Sequence, residues 1–215
     1  MKIFRTGSLH KGRIEAFSDG VFAIIITLLI LELKVPGLEG ESHDAELAGA
    51  LIKLLPKFMS WVMSFAMVSI FWVNHHRLFN LLKHVDNGLL WLNCLFLLLL
   101  SFIPFPTALL GEYHREPLAV VVFGATMTLA SLVFAWMRWY AVLYAKIVQD
   151  DLSVTFLKKS VRQSFLLGPF SYLAATLTAL VHVTGAIVLY ALIPLYFILP
   201  RNVEDRDSTR ERLAL

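Results

Sequence analysis

The sequence predicts an all-α integral membrane protein with six transmembrane helices in each subunit. Three observations carry that prediction. Hydrophobic residues fill 58% of the 215 positions and charged ones only 16%, and mean hydropathy reaches +0.69, a composition outside the soluble range. The apolar residues fall in runs of about twenty or more, enough to cross a hydrocarbon core, and the charges gather between those runs. Residues 1–200 are expected to form one membrane domain and residues 201–215 a short cytoplasmic tail, with no separate catalytic domain.

The first span is Ile14–Leu33. Lys2, Arg5, Lys11 and Arg13 precede it as in a signal peptide, but Glu32, Lys34, Val35 and Pro36 stand where small cleavage-site residues belong, so it is expected to be a retained helix. Pro36–Glu46 is a loop, broken by Gly37 and Gly40; its acids Glu39, Glu41, Asp44 and Glu46 suit a solvated segment. The second span, Lys57–Leu82, ends in a polar stretch with Asn74, His75, His76 and Arg77, and a turn through Lys83, Asp86, Asn87 and Gly88 follows. The third, Leu89–Leu110, is mostly leucine and phenylalanine and is expected to be peripheral. Pro104 and Pro106 lie near its far end, where backbone bonds are most easily forgone.

Gly111–Pro117 is a loop and Leu118–Tyr144 the fourth span, closing on Trp136, Arg138, Trp139 and Tyr140, a headgroup-anchoring cluster. Lys146–Gln163 is polar enough to lie in water or along the membrane surface. Ser164–Leu199 is long for one span and short for two, and reads as two short helices turning near His182–Gly185. Of the 19 basic residues, only Lys34, Lys53, Lys57 and Arg115 fall on one side of this layout, so the positive-inside rule puts both termini in the cytoplasm of a cell-membrane protein.

Several functions are excluded. The basic residues sit at span ends rather than along one stripe, which argues against nucleic acid as a partner. Cys94 is the only cysteine, so there is no intrachain disulfide and no thiolate cluster. His75 and His76 are about 100° apart on a helix and cannot share one metal ion, and no HExxH or CxxC motif appears, so neither metal nor cofactor is expected. A hydrolase of Ser18, His75 and Asp19 lacks the glycine pattern of a nucleophile elbow.

The chemistry concentrates in the first span. An acid inside a spanning helix must face protein, water or a counter-charge, which marks Asp19. Its candidate partners at the same depth are Arg13, the Trp72 indole N–H and His75, one turn beyond Trp72. The residues alone leave two readings open, a satisfied polar knot that locks the first helix to the second, or a knot that orients the first helix so that another face is presented elsewhere. That other face carries Ile24, Thr27, Leu28 and Leu31, spaced as one stripe, and an ordinary lipid-facing stripe has the same spacing.

The string Arg13-xxx-Phe17-Ser18-Asp19-Gly20, followed by Thr27-Leu28-Leu29 and Glu32, resembles the signature of the transmembrane protein 175 family of bacterial and lysosomal cation channels, and Trp72-xx-His75-x-Arg77-Leu78-Phe79 resembles its second-helix motif. The resemblance covers most of the chain. It implies a homotetramer with four first helices around a central pore, potassium as the permeant ion, and no carbonyl filter of the TVGYG type. By position it implies that Ile24 forms the constriction, Thr27 a polar ring, and Leu28 and Leu31 further apolar layers, with Arg13, Phe17, Ser18, Asp19, Trp72 and His75 as the motif and polar network behind the pore. Ile24 stands where some relatives carry leucine. A ring of branched aliphatic side chains can shut a pore by dewetting and, when open, favours ions that shed water cheaply, giving weak preference for potassium over sodium. Two alternatives remain: a proton pathway through Asp19 and His75, and a non-transporting membrane scaffold or enzyme.

Overall fold

The computed structural model describes residues 10–37, 44–150 and 152–198. The basic N-terminal arm before His10, the acids Glu39 and Glu41 and the tail over 201–215 lie outside the described residues. Described backbone is helical, with α1 (Lys11–Leu29), α2 (Asp44–Lys53), α3 (Leu55–Asn80), α4 (Asn87–Ser101), α5 (Pro104–Glu112), α6 (Pro117–Trp139), α7 (Val154–Leu167), α8 (Pro169–Ala179) and α9 (Val183–Ile198). Proline opens α3, α5, α6 and α8, where its missing N–H would have had no intrahelical acceptor.

Among the described residues, four segments are long and apolar enough to span a membrane: Lys11–Glu32, Leu55–Asn80, Asn87–Glu112 and Pro117–Tyr144. The third differs from expectation. Helix α4 stops at Ser101 and α5 restarts at Pro104, because a proline ring removes an amide and crowds the preceding turn. Nor is α4 peripheral: it lies between α1 and α6 and buries Leu89, Asn93, Phe96, Leu97 and Leu100. Helix α2 takes in the end of the expected loop, Asp44–Glu46, as well as residues between that loop and the second span, and it buries none of its side chains.

Helix α6 is the most buried span and α1 the least. Around α6 pack α4, α5, α7, α8 and α9, while α1 lies against α3, α4 and α5. Lipid tails are as apolar as leucine, so close approach rather than water exclusion holds such helices together. Gly124 is the clearest case. A Cβ there would collide with the Tyr190 hydroxyl and Thr176 Oγ1, groups that hydrogen-bond each other at 2.9 Å.

After Trp139 the chain continues as one wide helical turn, Tyr140–Tyr144, and ends at Lys146 in the left-handed region (φ 54°). The following segment then pairs with the α3–α4 turn, Lys83 N–H donating to Ile147 O and Gln149 N–H to Leu81 O, each at 2.9 Å. A Lys83–Asp150 ion pair, a Tyr140 hydroxyl donating to Asp86 at 2.9 Å and Lys11 Nζ donating to Leu82 O at 3.2 Å tie α1, α3, α4 and α6 together at this end. Asp86 also caps α4 by accepting from Leu89 N–H at 2.8 Å.

Helix α7 is amphipathic, with Leu157 and Val161 buried and Lys158, Lys159 and Arg162 exposed. It breaks from α8 at Gly168–Pro169, where the Ser171 hydroxyl donates to the freed Leu167 carbonyl. The turn into α9 falls at Leu180–His182, just before the position read from sequence, and His182 Nδ1 accepts from Gly185 N–H at 2.8 Å.

Candidate functional site

Helix α1 has two unlike faces. Ile14, Ser18, Phe22, Ile25 and Leu29, spaced three or four apart, are buried against α3, α4 and α5. The opposite stripe carries Arg13, Phe17, Gly20, Ile24, Thr27, Leu28 and Leu31, all exposed. Ile24 is 59% exposed and Leu31 66%, whereas Phe22 and Ile25 are each 1% exposed. The four stripe residues singled out by spacing therefore share one open face. Thr27 is the polar member, and its hydroxyl donates back to the Ala23 and Ile24 carbonyls at 3.0 and 2.9 Å. That uses its proton and leaves oxygen lone pairs for whatever lies in front of the helix.

The polar residues behind the stripe form two separate branches. In one, Trp72 Nε1–H donates to Asp19 Oδ1 at 2.9 Å, linking α3 to the flank of α1. In the other, His75 Nε2 meets Asn93 Oδ1 at 2.9 Å, Asn93 Nδ2 donates to Ser18 Oγ at 2.9 Å, and Ser18 donates to the Ile14 carbonyl at 2.9 Å. Because Asn93 presents its amide N–H to Ser18, His75 Nε2 must carry the proton it donates. Every bond then has one donor and one acceptor, and the chain runs from α3 through α4 to α1. His75, Asn93 and Ser18 are all buried. The His75 ring stacks on Phe79 with centroids 4.3 Å apart and lies beside Phe22 and Phe96.

Of the partners considered for Asp19, the structure selects Trp72. His75 turns to Asn93 instead, and among the described residues the Arg13 side chain makes no hydrogen bond or ion pair. Phe17 is likewise outside the network, on the open stripe. Asn93 is the residue that sequence reasoning missed. Its signal was available: one carboxamide in the apolar run Leu89–Leu100 invites the same question as Asp19.

No group of three or more histidine, cysteine, aspartate and glutamate side chains able to hold a metal ion occurs among the described residues. A cleft of about 710 Å³ lies at the opposite end, lined by residues of α2, α3 and α5 such as Lys53, Lys57 and Glu112, and no stripe or network residue borders it.

Comparison with known proteins bears on what this arrangement is. Residues 13–104 match the family model described as endosomal/lysosomal potassium channel TMEM175. A potassium channel of Streptomyces collinus is 36% identical over 192 residues, spanning 87% of this chain and 91% of that one. One from Chamaesiphon minutus is 37% identical over 199 residues, 90% and 96% of the two chains. The endosomal/lysosomal proton channel TMEM175 of Homo sapiens is 33% identical over 143 residues, which are 63% of this chain and 28% of that protein. Among solved structures, the crystal structure of a lysosomal potassium-selective channel TMEM175 homolog from Chamaesiphon minutus superposes with a TM-score of 0.77 at 35% identity, covering 88% of this chain and 96% of the other.

Proposed function

This chain belongs to the TMEM175 family of ion channels, and from that premise we propose that it is a potassium-selective, leak-type cation channel with weak preference over sodium, four copies surrounding a central pore lined by α1. The observation that carries the reading is the unused face of α1. One side of the helix is as buried as any core, while Ile24, Leu28 and Leu31 on the other stay largely exposed in their own subunit. Four copies about an axis would bring those side chains together as stacked rings.

In this arrangement Ile24 is the narrowest layer. A ring of four sec-butyl groups offers water no hydrogen bonds, so the closed pore dewets and excludes ions. When it opens, a narrow bore forces partial dehydration, and the larger, more weakly hydrated potassium ion passes at lower cost than sodium. Thr27 oxygens, with their protons engaged by the helix backbone, give the ion partial replacement ligands one turn away. Leu28 and Leu31 extend the apolar lining. The Trp72–Asp19 bond and the His75–Asn93–Ser18 chain hold the rotation of α1 that keeps these side chains toward the axis.

The broken α7–α8 unit and the short apolar α9 supply the fifth and sixth spans, and the basic end, which holds the α1 N-terminus, faces the cytoplasm. Potassium is substrate, and no cofactor takes part. The test is to exchange Ile24 for Ala or Asn and record single-channel currents from purified, reconstituted protein. A changed conductance or potassium/sodium ratio is expected; wild-type values for both would remove Ile24 as the constriction.

A second reading, a proton pathway through Asp19 and His75, draws support from the vertebrate relatives named proton channels. Against it, the two residues stand on separate hydrogen-bonded branches. Reversal potentials under a pH gradient at fixed potassium decide between the two.

A further inference from the structure

We infer that Arg138, together with Arg77 and the Ser160 hydroxyl, forms a binding site for the phosphate of an anionic phospholipid headgroup at the basic end of α6. Arg138 occupies the last turn of α6. Its Nη1 donates to Ser160 Oγ at 2.6 Å, its guanidinium carbon lies 5.3 Å from the centroid of the Phe134 ring, and its Nε–H is out of contact with solvent and has no acceptor. No carboxylate pairs with it among the described residues. Arg77, in the last turn of α3, brings a second positive charge to the same end of the molecule. A guanidinium keeps its proton in proteins, so this half-buried cation cannot relieve itself by becoming neutral.

The donor set defines the missing ligand. The Arg77 side chain is exposed and makes no hydrogen bond or ion pair among the described residues. Ser160 accepts from Arg138, which leaves its own O–H proton to give. Two guanidinium groups and a hydroxyl thus offer N–H and O–H donors without a carboxylate beside them. Planar guanidinium donors match tetrahedral oxyanions, phosphate above all. A single phosphodiester charge would offset the positive charge that the two guanidinium groups bring to this end.

Depth selects a lipid over a dissolved anion. Trp136 and Trp139 on the same last turns of α6 are exposed, and Trp139 stacks with Tyr144 at 5.9 Å between centroids, the aromatic arrangement that sits at headgroup level. Lys158 and Arg162 of α7 are exposed at this end as well and add to the positive potential that draws anionic headgroups.

The site is read by native mass spectrometry and thermal melting of the purified, delipidated protein in non-ionic detergent, with phosphatidylglycerol, phosphatidylcholine and inorganic phosphate as probes. Phosphatidylglycerol should bind and raise the melting temperature, with phosphatidylcholine much weaker. Arg138→Lys and the exposed Arg77→Gln should each weaken phosphatidylglycerol binding by about tenfold, the loss of one charge-assisted hydrogen bond or more. Arg77→Gln, at a surface position, keeps the test valid if Arg138→Lys folds poorly. Equal binding of the two lipids, or unchanged phosphatidylglycerol binding in Arg77→Gln, would overturn the site. So would inorganic phosphate that stabilises equally and displaces the lipid, which would mark a site for free anions. None of these readouts measures current, so the proposal stands or falls apart from the channel reading.

Discussion

Replacing Asn93 by alanine tests whether the buried chain from His75 to Ser18 fixes α1 on its neighbours. Two interhelical hydrogen bonds of 2.9 Å disappear, one to α1 and one to α3. Such bonds average ~0.6 kcal/mol in membrane proteins, so their direct loss is only about 1.2 kcal/mol. The larger part comes from what stays behind. His75 is 1% exposed and would point its Nε2 proton at an alanine methyl, and a buried donor without an acceptor costs about 1–3 kcal/mol. The sum is about 2–4 kcal/mol. Ser18→Ala, which removes one acceptor and leaves His75 paired, should cost about half as much, and the double variant should cost less than the two singles added together. Denaturation in mixed micelles with rising sodium dodecyl sulfate, followed by tryptophan fluorescence, gives these differences directly. A loss of under about 0.5 kcal/mol for Asn93→Ala, within the range of an ordinary surface change, would refute the assignment of the chain as the anchor of α1.

Other perturbations separate tight packing from surface charge. Gly124→Ala should destabilise by about 1–3 kcal/mol through overpacking, and adding Tyr190→Phe should recover part of that loss by removing the colliding hydroxyl, as read by the same micelle titration. Trp72→Phe keeps the ring and loses the donor to Asp19; stability should fall by less than about 1 kcal/mol, and reconstituted currents should change under the proposed role of this bond in orienting α1. Glu112→Gln breaks the ion pair with Lys57, but both side chains are partly exposed, so the melting temperature should barely move.

The length and position of the first four spans were legible because about twenty apolar residues between charged turns admit few other structures in lipid. The stripe on α1 was legible for a similar reason: helical geometry alone puts Ile24, Thr27, Leu28 and Leu31 on one face. What periodicity does not encode is which neighbour meets which face. Asp19 had three candidate partners within reach, and only the packing of α3 against α1 decides for the indole of Trp72. Asn93 went unremarked because one carboxamide scarcely alters the hydropathy of its run, although it joins three helices. The interruption at Pro104 was visible as a proline yet not as a break, since a proline in the first turn of a new helix and one near the end of an old helix look alike without the backbone. Helix α2 gave no signal of burial to read, having none.

The pairing of the α3–α4 turn with residues 147–149 also constrains how the chain is made. Leu81 and Lys83 acquire their partners only once some sixty-five further residues have been synthesised. Until then the early hairpin must wait in the bilayer with its turn hydrated, so a ribosome stalled before Asp150 would leave a nascent intermediate whose α3–α4 corner is open to proteases, and release of the stall would close it.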